Sequence, residues 1–527
     1  MADMRNTSEA ALIGVWDRAD NFLGLKRRRG AGYESVTTQK TAFRHLERGR
    51  LNLPPLIRAQ ARANGEAVAP TVAAPVVRRL SNGQLVQYTV GGALAGAEPA
   101  FASTAQVNDG AAKYWPLGSL SRAAATDVVV PAVTNILSGD FQALPTTQQF
   151  YFYADRDKFL HVSTPNVDLA DVDKSIAWAH NNGGTNEDLG GGTGVGKMAY
   201  RRVEEFETDA PLIDIVFKPT GVFNDRPRIW INDYLLEEVP SAWVGAAGAT
   251  QAKRVDFSAV GATGWNRFAV EVHPGTLLKS VLIPGKYKLR KPQKKGLVCR
   301  QIGDSWNATT TPDLVNWAHS ELLSEQLARG LGIRYVINQH EGGTGYVQDG
   351  TNGRKNALWQ LVNNDFSAVD VDYVFMSGLI GNDVGAGFSV VQIVDAFKAA
   401  FVEARRQHPS AFIVVEPGWS YQQAIAVSML GTIEAMKSEF IALADAKSAF
   451  VSPTTGEMVD PVAGYQQGDP WFSGTGNIGA PGAGVNAGNA DWYLGPDAGS
   501  HPSPIGKIYL RARRVEAIGG ILDRCGY

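Results

Sequence analysis

The chain has 527 residues, 44% hydrophobic and 19% charged, with a formal net charge of −2. That length lies past the point at which one core stops growing, so two or three domains are expected. The near-neutral balance argues against nucleic acid or an anionic membrane as partner of the whole molecule; two cysteines exclude a disulfide framework, and no run approaches the roughly 18 apolar residues of a membrane-spanning helix.

Residues 1 to about 65 set apolar residues among charges at helical spacing, as in Ala10–Trp16 and Phe43–Leu46. Early acids and the lack of an apolar segment predict no signal peptide. The first 80 residues carry 14 Lys+Arg against 7 Asp+Glu, and the sharpest piece is Lys26-Arg27-Arg28-Arg29. A solvated basic face is the plainer reading of that run; contact with an acidic protein surface or nucleic acid is the alternative. Residues 67–77, rich in Ala, Val and Pro, read as an extended arm. Residues 1–80 are therefore expected to be a helical and extended attachment segment. Residues 81–145 form a small-residue-rich connector to which the sequence assigns no fold.

Residues 146–292 read as an antiparallel β-sandwich. Short β-branched or aromatic runs recur between Pro, Gly, Asn and Asp: Gln149–Tyr153, Leu212–Phe217, Arg228–Ile231, Arg267–Val272 and Ser280–Ile283. Gly191–Lys197 imitates a phosphate-cradling loop. Met198 stands where such a loop needs Ser or Thr for Mg²⁺, and β-rich sequence surrounds it, so it reads as a flexible glycine loop.

From residue 293 the pattern becomes strand–helix alternation. Strands are expected at Leu297–Ile302, Tyr335–Ile337, Tyr373–Met376, Ala411–Val415 and Ala449–Val451, with helices at Pro312–Arg329, Val390–Arg406, Gln423–Ala444 and Ile505–Leu522. This predicts a three-layer α/β/α unit over 293–527, a parallel sheet with helices on both faces. Residues 465–496 form a Gly/Asn-rich loop with aromatics. Trp471, Trp492 and Tyr493 are candidates to stack on sugar rings, against the plainer reading that they pin the loop to the body.

Gly303-Asp304-Ser305 delivers a serine from a buried strand onto a tight turn. A serine hydroxyl is a poor nucleophile and needs an adjacent base oriented by a third group. Asp497 and His501, on a loop before the last helix, offer that pair. Glycine N–H groups of Gly342–Gly345 and the Asn382 side-chain amide, in Gly381-Asn382-Asp383, offer donors for a developing oxyanion. Each block has a bland counterpart: a helix-capping serine, a His-Pro turn, an Asx turn.

Taken together, over about residues 296–522, the four blocks resemble the SGNH (GDSL-type) hydrolase family. The resemblance implies a flavodoxin-like sheet, Ser305 as nucleophile, His501 as base with Asp497 as its partner, and an oxyanion hole from Ser305, Gly343 and Asn382. It departs at Ile380, where the family's third block has glycine, and at Asp497–His501, which are four apart rather than three. The β-rich region ahead is similar to the jelly-roll module that precedes this catalytic unit in carbohydrate esterases. Together these imply a carbohydrate O-deacetylase that needs no metal or cofactor and acts on an acylated polysaccharide. The expected setting is a phage tail spike or fibre, made in the host cytoplasm and joined to other virion proteins through the N-terminal segment, as a homo-oligomer such as a trimer. A catalytically weak glycan-binding virion protein and a soluble cytoplasmic esterase stay open as alternatives.

Overall fold

The computed structural model describes most of residues 131–471 and 504–527, apart from short stretches and the segments 162–180, 186–194 and 308–326. Nearer the N-terminus it describes strand backbones. Leu12–Trp16, Phe22–Arg29 and Gly32–Ser35 form a three-stranded antiparallel sheet, so the helical spacing read over Ala10–Trp16 gives way to a strand. Ile13, Val15 and Trp16 are β-branched or aromatic, and only Gly30 and Ala31 separate the paired Arg29 and Gly32, a hairpin spacing. Phe43–Leu46 lies outside the described residues. In the stretch left without a fold, Val76–Arg79, Gln84–Val90, Ala112–Ser119 and Val107–Asp109 pair in that order as a four-stranded sheet.

Two five-stranded antiparallel sheets follow. One runs Ala132–Leu137, Gln251–Asp256, Leu212–Pro219, Thr276–Pro284, Thr147–Tyr151; the other Tyr234–Leu235, Arg228–Ile231, Asn266–Val272, Arg202–Thr208, Leu289–Arg290. The first sheet thus takes in a strand upstream of the expected start at 146. Period-2 alternation turns Ile213, Ile215 and Phe217 onto Phe206, Ile229, Ile231, Phe268 and Val270 of the facing sheet. The Phe206 and Phe268 rings, opposite each other in register, stack with centroids 5.0 Å apart. Val195–Lys197, the end of the phosphate-loop look-alike, is a strand paired with Asn181–Thr185, whereas a phosphate loop opens a helix there.

The C-terminal sheet has seven strands: β1 (Val298–Gly303), β2 (Tyr335–His340), β3 (Tyr373–Ser377), β4 (Phe412–Glu416), β5 (Ser448–Val451), β6 (Glu457–Asp460) and β7 (Gly464–Gln467). The spatial order is β2-β1-β3-β4-β5-β6-β7; the first five are parallel and the last two antiparallel. Helices α1 (Ala357–Asn363), α2 (Ile380–Gly385), α3 (Val390–Gln407), α4 (Gln423–Leu443) and α5 (Pro504–Arg524) accompany it. Both sheet faces are covered. Val374, Met376, Ile413 and Val415 meet Phe397 and Phe401 of α3 and Ile433 and Met436 of α4, while Tyr373, Phe375, Phe412 and Val414 meet Leu510, Ile518 and Ile521 of α5. That is why these strands read as continuous apolar runs rather than alternating ones. Helix α3 starts at a reciprocal capping box between Ser389 and Gln392. No described helix is long and apolar enough to cross a membrane.

One carboxylate links the sandwich to the α/β unit. Glu205, 2% exposed, accepts from Arg267 Nε at 2.8 Å, Arg334 Nε at 3.2 Å and the Tyr335 hydroxyl at 3.3 Å. Arg267 also donates to the Tyr335 hydroxyl at 2.8 Å, so strand β2 is tied at its first residue to two sandwich strands.

Candidate active site

Strand β1 ends between β2 and β3, where the order of the parallel strands reverses, the position at which open α/β sheets place ligands. Asp304 to Asn307 form a tight turn, closed by the Asn307 N–H on the Asp304 carbonyl at 3.2 Å. Ser305 is its half-buried second residue. Gly303 ahead of it is required by crowding: a Cβ there would stand 2.8 Å from Asn307 Nδ2, His340 Nδ1 and the Ser377 carbonyl.

Asp304, 3% exposed, binds both sides of the site. Its Oδ1 accepts the Trp306 N–H at 3.0 Å, which fixes the serine turn. Its Oδ2 accepts the Leu379 N–H at 3.2 Å and Asn382 Nδ2 at 3.4 Å, across to the loop after β3. A Cβ at Gly378 would lie 2.6 Å from Asp304 Oδ1, so only glycine lets that carboxylate settle there.

The second block leaves β2 beside the serine. The Glu341 N–H donates to the Gly303 carbonyl at 3.0 Å, and a Cβ on Gly342 would lie 3.7 Å from Ser305 Cβ. Gly342 is thus the glycine laid against the Ser305 side chain. Gly343 follows with φ +74°. Arg354 Nη1 donates to the Gly342 carbonyl at 3.0 Å and holds this loop from the other side.

Asn382 joins the blocks. Its Nδ2 donates to the Thr344 carbonyl at 2.8 Å and, more weakly, to Asp304 Oδ2, so one amide reaches both the second block and the serine turn. It sits on helix α2 rather than in an Asx turn. The backbone before it explains why no glycine stands at position 380. Positive φ falls on Gly378 (+83°) and Leu379 (+74°), and the Ile380 N–H closes onto the Gly378 carbonyl at 3.0 Å in a three-residue γ-turn. Ile380 itself begins α2 and is fully buried in the core, where an isoleucine packs and a glycine would not.

Asp383 and Gly345 complete the arrangement. The fully buried Asp383 carboxylate accepts the N–H groups of Tyr346 (2.8 Å), Val347 (3.1 Å) and Gln348 (2.7 Å). A Cβ at Gly345 would stand 2.1 Å from its Oδ1. Burial raises the Asp383 pKa, and the three N–H donors oppose that.

Sequence reasoning missed the roles of Asp304 and Asp383, although both stand inside blocks it had singled out. It also missed a buried group under the serine turn, in which Arg514 of α5 meets Glu416, Ser377 and Asn307. Nothing in the local sequence of a mid-helix arginine announces that. His501, Asp497, Trp492 and Tyr493 lie outside the described residues. Trp471 is corrected: at 4% exposure it packs into the core on the α5 side of the sheet, so it offers no open ring to a sugar, and its backbone N–H donates to the Pro453 carbonyl at 2.9 Å.

No protein-family model matches the chain, and no curated protein matches it. Among solved structures it is similar to a family two carbohydrate esterase from Cellvibrio japonicus, at 13% identity over 72% of this chain and 98% of that one, with a TM-score of 0.47. A salicylyl-acyltransferase from a tetracycline biosynthetic pathway gives 14%, 71%, 99% and 0.49. The acetyl xylan esterase Est2A from the rumen bacterium Butyrivibrio proteoclasticus gives 14%, 72%, 98% and 0.42. Identities this low, with TM-scores below 0.5, leave the residues themselves as the ground for function.

Proposed function

We propose that the chain is a serine esterase of the SGNH type that removes O-acyl groups, acetyl above all, from a polysaccharide. The observation that carries this is Ser305 on a pinned turn at the strand-order reversal, with Gly342 against its side chain and the Asn382 amide tied to its neighbour Asp304. In the reaction, Ser305 Oγ attacks the acyl carbonyl as His501, oriented by Asp497, takes its proton. The oxyanion is held by the N–H groups of Ser305 and Gly343 and by Asn382 Nδ2, whose second hydrogen turns from its weak 3.4 Å contact with Asp304 Oδ2 to the developing charge. Collapse expels the sugar oxygen, which His501 protonates, and water then hydrolyses the acyl-Ser305 ester by the same steps.

The choice of polysaccharide rests on the sandwich, read as a jelly-roll-like companion domain that shapes the cleft, and on Trp492 and Tyr493 as sugar-stacking aromatics. Carriage on a phage virion, as a homo-oligomer attached through the N-terminal region, belongs to the same reading. The test is hydrolysis of p-nitrophenyl acetate and acetate release from O-acetylated polysaccharides by the full chain and by Ser305→Ala. Activity confined to the wild type supports the esterase, and its absence on every substrate overturns it.

A further inference from the structure

We propose that Arg514 is a positioning residue for Ser305, acting through Asn307; the inference rests on the serine-esterase reading above. Arg514 and Glu416 are both fully buried, Arg514 on α5 and Glu416 at the end of β4. Arg514 Nε lies 2.9 and 3.1 Å from the two Glu416 oxygens, and Nη2 donates to the same carboxylate and, at 2.8 Å, to Ser377 Oγ. Ser377 Oγ in turn donates to Glu416 Oε2 at 2.5 Å. The remaining arm, Nη1, donates to Asn307 Oδ1 at 3.2 Å, and Asn307 Nδ2 donates to the Ser377 carbonyl at 3.2 Å. Asn307 is the closing residue of the turn whose second residue is Ser305.

Stability is a poor reason for such a group. Taking two charges out of water costs several kcal/mol each, and buried ion pairs replaced by apolar residues of like volume often leave a protein as stable as before. What the pair does provide is geometry. A guanidinium is a rigid planar fork, and here its arms fix a carboxylate, a hydroxyl and an amide at three set directions, which an ammonium on a flexible stem does not reproduce. The turn is thereby gripped at both ends, by Asp304 in front of Ser305 and by Asn307 behind it. Helix α5 begins three residues after His501, so the same contact ties the helix that follows the proposed base to the nucleophile's turn.

The experiment compares four full-length variants with the wild type: Arg514→Met/Glu416→Met, Arg514→Lys, Asn307→Ala, and the triple combination of the first and third. Readouts are thermal stability and the separate kcat and KM for p-nitrophenyl acetate. Misplacing a reacting group by about 1 Å costs on the order of 10²-fold in rate, so kcat of the Met/Met variant should fall by about that factor. KM should stay within about twofold, since ground-state binding is untouched, and the melting temperature should stay close to that of the wild type. Arg514→Lys should not restore kcat. Asn307→Ala should lose a similar factor, and the triple variant should be no worse than either, because both changes break one linkage. Full kcat in the Met/Met variant, or losses that multiply in the triple variant, would overturn the inference; if Met/Met fails to fold, Asn307→Ala with wild-type kcat does so instead. A wild type with no Ser305-dependent hydrolysis sinks the esterase reading and this inference together, whereas an active wild type with unaffected variants sinks this inference alone.

Discussion

Asp304 Oδ2 accepts the N–H of Leu379 at 3.2 Å, so the carboxylate beside Ser305 holds a residue whose φ of +74° no branched side chain adopts freely. Such a conformation costs on the order of 1–3 kcal/mol and persists only where its surroundings impose it. Here the strain sits between the serine turn and Asn382. One acidic side chain therefore sets the spacing of Ser305 and Asn382.

Asp304→Ala should therefore damage the fold and the site together. It leaves the buried N–H groups of Trp306 and Leu379 without that acceptor, at about 1–3 kcal/mol each. The expected result is a melting temperature several degrees lower and Ser305-dependent hydrolysis close to background. An unchanged melting temperature in a thermal scan would show that the carboxylate does not support the γ-turn.

Asn382→Ala tests the proposed oxyanion contribution. Loss of one such donor typically lowers kcat by about 10²–10³, with much less effect on KM. Because Asn382 Nδ2 also holds the Thr344 carbonyl at 2.8 Å, some stability should go as well. Counting active sites by the acyl-enzyme burst on p-nitrophenyl acetate separates the two, since unfolding reduces the burst amplitude while the donor's loss slows every molecule that remains folded. A kcat at the wild-type level would remove Asn382 from the oxyanion hole.

Acid should weaken the fold through His408. Burial, then the positive charge of Arg300, lowers its pKa from 6.5 to about 3. Arg300 Nη1 lies 3.1 Å from His408 Nε2 and must donate to it, which requires a neutral ring with its proton on Nδ1. The unfolded chain takes up this proton below about pH 6.5 and the folded chain does not, so stability is full above that pH and falls as pH drops toward 3. The slope from this one group reaches about 1.4 kcal/mol per pH unit. Denaturant midpoints measured across that window should fall less steeply for His408→Gln than for the wild type, and parallel curves would refute the assignment.

Strands β1 to β5 could be read to within one to three residues because, covered on both faces, they write themselves as short apolar runs between glycines. Helix α3 was legible from its spacing, with Ile393, Phe397, Ala400, Phe401 and Ala404 on the core side. Sheet strands with polar sequences were not. Gln251–Asp256, Gln-Ala-Lys-Arg-Val-Asp, has little β propensity, and it is the pairing on both sides, with Arg254 on Asp214 at 2.7 Å, that makes it a strand. The same holds at the site. Ser305, Gly342, Gly343 and Asn382 stand in short motifs, whereas Asn307, Glu416 and Arg514 meet only through tertiary packing over as many as 207 residues of chain, which no local pattern encodes.

The aromatics Trp471, Trp492 and Tyr493 should divide by role. Trp471 is packed among Leu297, Cys299, Phe412 and Leu510, so Trp471→Ala removes a large core side chain at a cost of about 3–5 kcal/mol. Its melting temperature should drop steeply, while the ratio of kcat/KM on polysaccharide to that on p-nitrophenyl acetate stays as in the wild type. Trp492→Ala and Tyr493→Ala should do the opposite, leaving the melting temperature and the small ester alone and raising KM for the polysaccharide, because a ring that stacks on sugar contributes only where there is sugar to stack on. Unchanged polysaccharide kinetics in both would withdraw these two aromatics from substrate binding, and a fall in stability in either would place that ring with Trp471 in the body of the protein.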